Sequence, residues 1–369
     1  MKIVFSSNIS WSIYNFRKGL LKSLQNDGHE IFTVAAKDDY SQKLTDLGFN
    51  FNHININNNS KNPIEDIKLV LQYYKIYKRI KPNVICHNAI KPNIYGTIAA
   101  GLLGIPVVNN ISGLGTLFIK QSISTKIAKF LYRISQRSAT KVFFQNQDDL
   151  ELFINSKLIR DDKCIIIPGS GVDTSKFRPV KRDIKQEDGF RFLFVGRLIY
   201  DKGIREYIEA AKIIKEEFAE VQFDILGGIY HKNETAIKQE ELDRWCDLGL
   251  VNYLGESDSV HLEMEKVDSI VLPSYREGLS KVLIEASSMG IPIVTTDVPG
   301  CRDVVVDNIT GFLAEVKSVD SLYSQMKRMI LLPQEDRIKM GTKARERAVK
   351  VFDQNIIIKH YKNVIYSIS

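Results

Sequence analysis

Two kinds of apolar pattern alternate along the chain. In the first, short runs of apolar residues are bounded by glycine, asparagine or serine, which is typical of buried strands. In the second, apolar residues recur every three or four positions over longer stretches, which is typical of helices with one buried face. Strands that alternate with helices favour βαβ units around a parallel sheet, so the pattern predicts an α/β fold.

The first half of the chain begins with this alternation. A helical face over residues 14–25 is followed by Gly28, a usual residue where a helix stops. Strand-like runs lie at residues 3–6, 30–35, 84–86, 107–110 and 141–145.

Residues 92–119 carry no charged side chain. Five glycines and Pro106 interrupt them, so no apolar run approaches the length of a membrane span. The segment therefore predicts a buried helix over 93–103, a strand at 107–109 and a glycine-rich loop at 112–116.

The same pattern restarts in the second half, with a helical face over residues 204–217. Strand-like runs lie at 191–195, 222–226, 251–254, 269–272 and 291–295. The polar segment 178–189 buries little and predicts a linker, which gives domains at 1–180 and 181–350. Because ligands of open parallel sheets bind beyond the carboxyl ends of the strands, we predict the active site between these domains.

Composition adds a size and a charge asymmetry. A chain of 369 residues with 44% hydrophobic and 26% charged residues fits two ordinary globular domains. Residues 1–180 hold 24 lysines and arginines against 13 acidic residues, whereas residues 181–369 hold 27 against 31. A basic half attracts nucleic acid, anionic lipid or phosphorylated substrates, and charge alone does not choose among them.

One segment of the first half concentrates this charge. Its cations recur mostly at three- or four-residue spacing with apolar residues between them: Lys120, Lys126, Lys129, Arg133 and Arg137. A helix of this kind fits contact with anionic lipid or capture of a diphosphate. An ordinary amphipathic helix, docked on the core with its charges in solvent, explains the same pattern.

The cysteines and the N-terminal residues indicate the cellular compartment. The four cysteines lie far apart, with no CxxC pair and no histidine at metal-ligand spacing, so we expect them to be reduced and structural. The apolar run after Met1 ends at Ser6 and is too short for the core of a signal peptide. We therefore expect a cytoplasmic protein.

A glycine and two cations follow the first strand of the second half. Gly196 and Arg197 come directly after the run 191–195, and Lys202 stands close behind. A glycine there lets a ligand approach the backbone, and two cations suit a diphosphate. A strand-end turn with surface charges is an equally good explanation of this motif alone.

A second motif joins a strand end to a helix start. The amides of Gly278, Leu279 and Ser280 fall at or near the helix start, where unpaired N–H groups and the helix dipole bind anions. Glu277 precedes them and Glu285 follows in the helix. Since a phosphate repels carboxylates, a sugar hydroxyl is the natural partner of Glu277 and a ribose that of Glu285. A first-turn dipole partner and a helix-surface charge are the respective alternatives.

Together these motifs resemble the retaining GT-B glycosyltransferases of family 4, over nearly the whole chain. The resemblance rests on Gly-Arg-Leu followed by Lys-Gly at 196–203, and on Leu-Pro-Ser followed by Glu-Gly-x6-Glu-Ala at 272–286. It implies two Rossmann-like domains that face each other across a cleft, with a last helix, 351–369, that returns to the first domain. Four runs in the first half look like the bacterial subgroup that extends undecaprenyl-diphosphate-linked sugars, which includes α-1,3-N-acetylgalactosaminyltransferases: residues 14–17, 39–44, 91–96 and 111–118.

The resemblance implies a nucleotide-diphosphate-sugar donor in the second domain. Arg197 and Lys202 would neutralise the leaving diphosphate, Glu277 would orient sugar hydroxyls, and Glu285 would hold the ribose. No metal and no cofactor is implied, because the cations and the helix start supply the positive charge; no Asp-x-Asp metal motif is found. The donor-binding set also includes Gly196, Gly227, Gly228, Gly278, Leu279 and Ser280.

The acceptor is assigned to the first half. Arg17 follows a strand end, and with Lys91 or Lys120 it is hypothesised to meet the acceptor's diphosphate; plain surface charge is the alternative. Two features that many family members share are missing. Residues 8–12 contain no glycine and so give no glycine-rich loop, and Asn109-Asn110 lies near the position where many members have a histidine that faces the donor sugar. His87 is expected to be a satisfied strand-end histidine. The acceptor-binding set is Asn15, Arg17, Lys91, Gly113, Gly115 and Lys120.

These assignments imply transfer of a hexosyl or N-acetylhexosaminyl unit, GalNAc or GlcNAc first, from a UDP-sugar to a polyprenyl-diphosphate-linked saccharide with retention. They also imply peripheral attachment to the inner face of the cytoplasmic membrane through the basic half. A non-hydrolysing UDP-sugar 2-epimerase is the alternative on this fold, but of the carboxylates and histidines it needs only Glu277 is well placed. An oxidoreductase would need a GxGxxG after a strand, and a nucleic-acid partner would need a recognisable module; neither is found.

Overall fold

Two parallel β-sheets organise the protein in the computed structural model, which describes residues 1–57, 62–114, 123–180, 189–230 and 233–368. The chain divides into two compact units. The N-terminal unit is Met1–Gly171 together with Gln354–Ser369, and the C-terminal unit is Val172–Asp353. The sequence places the corresponding boundaries after residues 180 and 350. Residues 181–188 of the predicted linker lie outside the described residues.

Seven strands form the sheet of the N-terminal unit, and every neighbouring pair is parallel. They are β1 (Lys2–Ile9), β2 (Glu30–Ala36), β3 (Asn50–His53), β4 (Val84–Asn88), β5 (Val107–Ile111), β6 (Lys141–Phe144) and β7 (Cys164–Ile166), in the order β3-β2-β1-β4-β5-β6-β7. All five predicted strands are confirmed. The two strands that the pattern misses, β3 and β7, are short strands at the edges of the sheet. In β3 the polar residues Asn50, Asn52 and His53 give no apolar run.

Helices connect these strands. They are α1 (Ser10–Asn26), α2 (Tyr40–Asp46), α3 (Pro63–Ile80), α4 (Thr97–Leu102), α5 (Ile123–Ser138) and α6 (Gln147–Asn155). The predicted buried helix over 93–103 is a π-helical turn, Pro92–Gly96, that continues into α4. The predicted glycine-rich loop lies partly outside the described residues, which stop at 114 and resume at 123.

Six parallel strands form the sheet of the C-terminal unit. They are β8 (Arg191–Val195), β9 (Gln222–Leu226), β10 (Asn252–Tyr253), β11 (Ser269–Leu272), β12 (Ile293–Thr296) and β13 (Gly311–Ala314), in the order β10-β9-β8-β11-β12-β13. The helices are α7 (Ile204–Glu217), α8 (Gln239–Asp247), α9 (Val260–Met264), α10 (Lys281–Ser288), α11 (Val319–Leu331) and α12 (Gln334–Arg347). The predicted strands and the helix α7 are confirmed, and the edge strand β13 was not predicted.

The last helix, α13 (Gln354–Ile368), belongs to the N-terminal unit. Its buried residues Ile357, Tyr361 and Ile365 join the apolar cluster that contains Ile3 and Phe5 of β1. The apolar spacing that predicts a helix over the last residues of the chain therefore also marks the face that the helix buries.

Candidate active site

The loops after β8 and β9 pack directly on one another. The Gly196 amide donates to the Leu226 carbonyl at 3.0 Å. Gly227 has a φ of +142°, and a Cβ atom there would lie 1.9 Å from the Gly196 carbonyl oxygen. Only glycine permits this approach, because any side chain would push the two strand ends apart. The role predicted for Gly196 and Gly227 toward a nucleotide stays a prediction.

Gly228 makes room for a carboxylate of the chain itself. A Cβ atom at this position would lie 1.6 Å from Oε1 of Glu256, and the Gly228 carbonyl accepts a hydrogen bond from the Leu198 amide at 3.0 Å. Glu256 therefore folds over the loop that the sequence assigns to the donor. The sequence did not mark Glu256, because the residue is distant in the chain.

Lys202 is placed by a tight turn. It ends a 3₁₀ turn, Tyr200–Lys202, and Gly203 follows with a φ of +75°. A Cβ atom on Gly203 would lie 2.0 Å from the Pro273 carbonyl oxygen, and the Tyr275 amide donates to the Asp201 carbonyl at 2.9 Å. The turn is thus fixed to the segment after β11, which also carries Glu277.

Lys202 and Glu277 form an ion pair in which the Lys202 ammonium donates to the Glu277 carboxylate. Both side chains are largely buried, at 18% and 13% exposure. The Glu277 amide donates to the Pro299 carbonyl at 3.0 Å, and a Cβ atom on Gly300 would lie 2.6 Å from the Cβ of Glu277. The structure therefore brings together two residues that the sequence assigned to catalysis.

The start of α10 follows this pair. Ser280 is the N-cap residue, yet its side chain accepts no capping hydrogen bond from the first turn. Amides at such an uncapped helix start are suited to an anion. The Ser280 amide itself donates to the Gly300 carbonyl at 3.0 Å, so this one of the three predicted amides is already occupied. Gly278 is buried and Leu279 half-buried beside it.

Glu285 lies inside the unit, at 8% exposure, and not on a helix surface. Its Oε1 is 3.6 Å from Nζ of Lys281, one turn earlier on α10. Burial raises the pKa of the Glu285 carboxyl, and the charges of Lys281 and Lys176 oppose the rise. The surface-charge alternative for this residue is therefore wrong, whereas its role toward a ribose stays a prediction.

Arg197 is exposed, and its side chain contacts Tyr230 rather than the Lys202–Glu277 pair. Its guanidinium stacks over the Tyr230 ring at 5.5 Å from the centroid, and Tyr230 is itself 40% exposed. An exposed arginine on an exposed ring can turn toward a ligand with little loss of packing.

Arg17 is buried in the N-terminal unit, at 4% exposure. Its Nε and one terminal nitrogen donate to Oδ1 of Asn88 at 3.2 and 2.9 Å, and its guanidinium lies 5.2 Å from the centroid of Tyr361. No carboxylate of the described residues lies within ion-pair distance of it. Plain surface charge is therefore the wrong explanation of Arg17.

Asn88, at the end of β4, gathers several polar groups. Its Oδ1 also accepts from Asn110 Nδ2 at 3.1 Å, and the next residue, Ala89, has a φ of +78°. Such a backbone is costly for alanine and is common at functional sites. His87, just before, is fully buried between Tyr77 and Asn109, and burial lowers its pKa to about 4. His87 is a satisfied, neutral strand-end histidine, as expected.

The remaining acceptor candidates are spread out. Nζ of Lys91 pairs with Asp66 Oδ1 at 3.1 Å. Asn15 is exposed and donates back to the Trp11 carbonyl of its own helix at 3.0 Å. Gly113 has a φ of +114°. Gly115 and Lys120 lie outside the described residues.

Comparison with known families decides the class of protein. The family described as "Glycosyl transferases group 1" matches residues 177–347, and the family described as "Glycosyl transferase 4-like" matches residues 2–146. The protein is a glycosyltransferase, similar to these two families. The two matches span most of both sheets of this glycosyltransferase.

Two curated relatives of this glycosyltransferase are named for diphospho-undecaprenol sugars. It is 29% identical, over 98% of its own length and 97% of the relative, to the N,N'-diacetylbacillosaminyl-diphospho-undecaprenol alpha-1,3-N-acetylgalactosaminyltransferase of Campylobacter jejuni. It is 28% identical, over 72% and 71% of the two chains, to the UDP-Gal:alpha-D-GlcNAc-diphosphoundecaprenol alpha-1,3-galactosyltransferase of Escherichia coli.

Solved structures establish the fold of the glycosyltransferase. HepE of Anabaena, solved with UDP and glucose, covers 100% of both chains with a TM-score of 0.81 and 18% identity. Sucrose-phosphate synthase from Thermosynechococcus elongatus covers 100% of this chain and 98% of its own, with a TM-score of 0.81 and 17% identity. The protein therefore has the GT-B fold of two Rossmann-like domains that the sequence predicts.

The described part of the glycosyltransferase contains neither a metal-ligand cluster nor a membrane-spanning helix. Within those residues, no three histidine, cysteine, aspartate or glutamate side chains cluster as a metal site would need. No helix there is both long and apolar enough to cross a bilayer. All four cysteines are free thiols, and burial raises the pKa of Cys301, beside Glu277 and Lys202, to about 12.

Proposed function

We propose that this glycosyltransferase moves a hexosyl or N-acetylhexosaminyl unit, GalNAc or GlcNAc first, from a UDP-sugar to an undecaprenyl-diphosphate-linked saccharide with retention of configuration. The buried Lys202–Glu277 pair beside the start of α10 carries the proposal. The activities for which both relatives are named support it, since each involves a diphospho-undecaprenol sugar.

The chemistry follows from where charge develops. When the bond from the sugar to the diphosphate breaks, negative charge grows on the leaving phosphate, and a fixed cation nearby lowers the barrier. Lys202 supplies that cation, Arg197 can turn from Tyr230 to add a second, and the helix start adds its dipole. Glu277 then orients the sugar hydroxyls, and Glu285 holds the ribose. These groups supply the charge without a metal or a cofactor.

In this proposal the acceptor binds to the N-terminal unit. Arg17 supports this because a buried cation without a carboxylate partner among the described residues is costly, and an anion would offset that cost. Together with Lys91 or Lys120, Arg17 faces the acceptor's diphosphate. Asn15, Gly113 and Gly115 complete the acceptor-binding set.

Helix α5 attaches the protein to the inner face of the cytoplasmic membrane in this proposal. The helix buries a polar and small side, with Thr125, Ser135 and Gln136 at 5% exposure or less. Tyr132 of the same helix packs in the core, whereas three apolar residues are exposed: Ile127, Phe130 and Ile134, at 55%, 60% and 41%. Cations at 126, 129, 133 and 137 accompany this stripe, and the helix contains no acidic residue. An exposed apolar stripe with cations suits anionic lipid and supports the proposal.

The decisive experiment offers a panel of radiolabelled UDP-sugars to the purified protein with bacterial membrane extract. Label that enters the lipid fraction, with the α anomer in the product, is the expected result. Label in a water-soluble product only would contradict the lipid acceptor. Conversion of the UDP-sugar to its 2-epimer without transfer would favour the epimerase instead.

A further inference from the structure

The N-terminal unit contains a pocket of about 480 Å³ at the carboxyl ends of β2 and β3. Residues that follow these two strands form one wall, one face of α3 forms another, and Lys91 closes the pocket. Ile56 and Leu69 give it an apolar patch. Ligands of parallel sheets bind at this end of the strands, and the sequence marked only Lys91 of all these residues.

The walls of the pocket are positively charged. Lys37, Lys68 and Lys91 contribute three cations, against one carboxylate, Glu65. Lys91 is paired with Asp66, whereas neither Lys37 nor Lys68 has an ion-pair partner in the described part of the chain. The uncompensated charge therefore lies on the side of β2 and α3.

The hydrogen bonds within the walls leave mainly donors for a ligand. The Lys37 amide donates to Nδ1 of His53 at 3.2 Å, so the hydrogen of this neutral imidazole is on Nε2, which donates to Asn55 Oδ1 at 2.8 Å. The Asn55 amide in turn donates to Gln72 Oε1 at 3.1 Å. The carboxamide oxygens of Asn55 and Gln72 thus each accept one hydrogen bond within the walls, and their NH₂ groups remain as donors. A third carboxamide of the walls, Asn57, donates to Glu65 at 3.5 Å.

We propose that this pocket binds the diphosphate of the lipid-linked acceptor, with phosphate oxygens against Lys37 and Lys68 and the side chains of Asn55 and Gln72 as further donors. A pocket with three ammonium groups, together with the NH₂ groups of Asn55 and Gln72, matches a ligand that offers only acceptor oxygens, which is what a diphosphate offers. Glu65, the one carboxylate of the walls, suits a hydroxyl of the attached sugar. The inference rests on the proposed function and extends its acceptor site from Lys91 to β2 and α3.

The test compares wild-type protein with Lys37→Ala/Lys68→Ala. Binding of inorganic diphosphate, farnesyl diphosphate and UDP to the full chain is measured by calorimetry, and the acceptor and donor KM values are measured in the transfer assay. Lys75→Ala is the matched control, because Lys75 is an exposed lysine of the same helix outside the pocket. Circular dichroism and the Tm check that each variant is folded.

The double variant is expected to weaken binding of both inorganic and farnesyl diphosphate by at least about tenfold and to raise the acceptor KM as much, with the donor KM unchanged. Glu65→Gln should tighten diphosphate binding, because it removes the only carboxylate of the walls. Unchanged diphosphate binding in the folded double variant would overturn the proposal. Loss of UDP affinity alone would also overturn it, since the pocket would then belong to the nucleotide. If wild-type protein transfers no sugar to lipid, the proposed function fails, but the binding measurements still decide the pocket.

Discussion

The cations proposed to meet the two diphosphates differ in their partners, although Lys91 of the N-terminal unit is itself paired with Asp66. In the C-terminal unit Lys202 is paired with Glu277, and Lys281 with Glu285. In the N-terminal unit Arg17 is buried against the neutral side chain of Asn88, and Lys37 and Lys68 have no carboxylate partner among the described residues. The net charges of the two halves of the sequence differ in the same sense.

This difference suggests two ways to handle a diphosphate. A cation that already has a carboxylate partner is held in place, and it shares its charge with a ligand only while the ligand is present. A cation without a carboxylate partner is available to an anion, and where it is buried, as Arg17 is, it costs stability until the anion arrives. The C-terminal unit therefore suits a donor whose diphosphate must leave after reaction, and the N-terminal unit suits an acceptor that must be captured from a lipid surface.

The largest effect is expected from breaking the pair in the C-terminal unit. Glu277→Ala and Lys202→Ala should each lower kcat by about 100-fold or more, because each removes one half of a charge arrangement that acts as a unit. For the same reason the double variant should be little slower than the worse single variant. Initial rates of label transfer to lipid measure this.

Glu263→Ala is the control for this pair, because it removes a carboxylate that is bonded to the exposed Lys266 of the same unit. It should leave the rate unchanged. Full activity in either Lys202→Ala or Glu277→Ala would remove the pair from the mechanism.

Much of the fold follows from the sequence because buried strands carry their pattern locally. The interior strands β8, β9 and β11 match the predicted ranges, whereas three of the four edge strands, β3, β7 and β13, are not predicted; the edge strand β10 is the exception. The candidate active site is predicted less completely from the sequence. Gly300 seats Glu277, and Asn88 and Tyr361 surround Arg17, but these partners are remote in sequence or lack a motif. Packing between distant segments leaves no local periodic signal.

The two units also differ in the pKa of one buried group each. The pKa of His87 in the N-terminal unit is lowered, whereas that of Glu285 in the C-terminal unit is raised. The unfolded chain protonates His87 near pH 6.5 and the folded chain only near 4, so its contribution to stability is complete above pH 6.5 and falls as the pH drops toward 4. The loss amounts to at most about 3 kcal/mol. Glu285 has a raised pKa in the fold, so its contribution is favourable at low pH and is lost as the pH rises through that value.

Urea unfolding of wild type, His87→Gln and Glu285→Gln between pH 4 and pH 8 measures both slopes. His87→Gln should lose stability less steeply than wild type on acidification. Glu285→Gln should gain stability relative to wild type as the pH rises. Parallel curves for all three proteins would show that neither group titrates differently in the fold.

Arg17→Met tests the unpaired cation of the N-terminal unit. The acceptor KM should rise about tenfold, because a buried positive charge that favours the anionic acceptor is lost. The free energy of unfolding should stay the same or rise, since an uncompensated buried charge is removed and Asn88 Oδ1 keeps its bond from Asn110. Arg79→Met, which changes an exposed arginine bonded to Asn52, is the control. An unchanged acceptor KM would make Arg17 a structural residue.

The smallest effect is expected at helix α5, where single exposed side chains are changed. Phe130→Ser and Ile127→Ser should each weaken binding to vesicles of phosphatidylcholine and phosphatidylglycerol by about three- to tenfold, because each removes part of an apolar stripe that is already accessible. Added salt should weaken binding of the wild type through its cations. Ile338→Ser, at a 61% exposed isoleucine of the C-terminal unit, should change nothing. Equal losses of vesicle binding from Phe130→Ser and Ile338→Ser would mean that exposed apolar area anywhere on the protein drives the binding. Membrane attachment would then not distinguish the N-terminal unit, which carries α5, from the C-terminal unit.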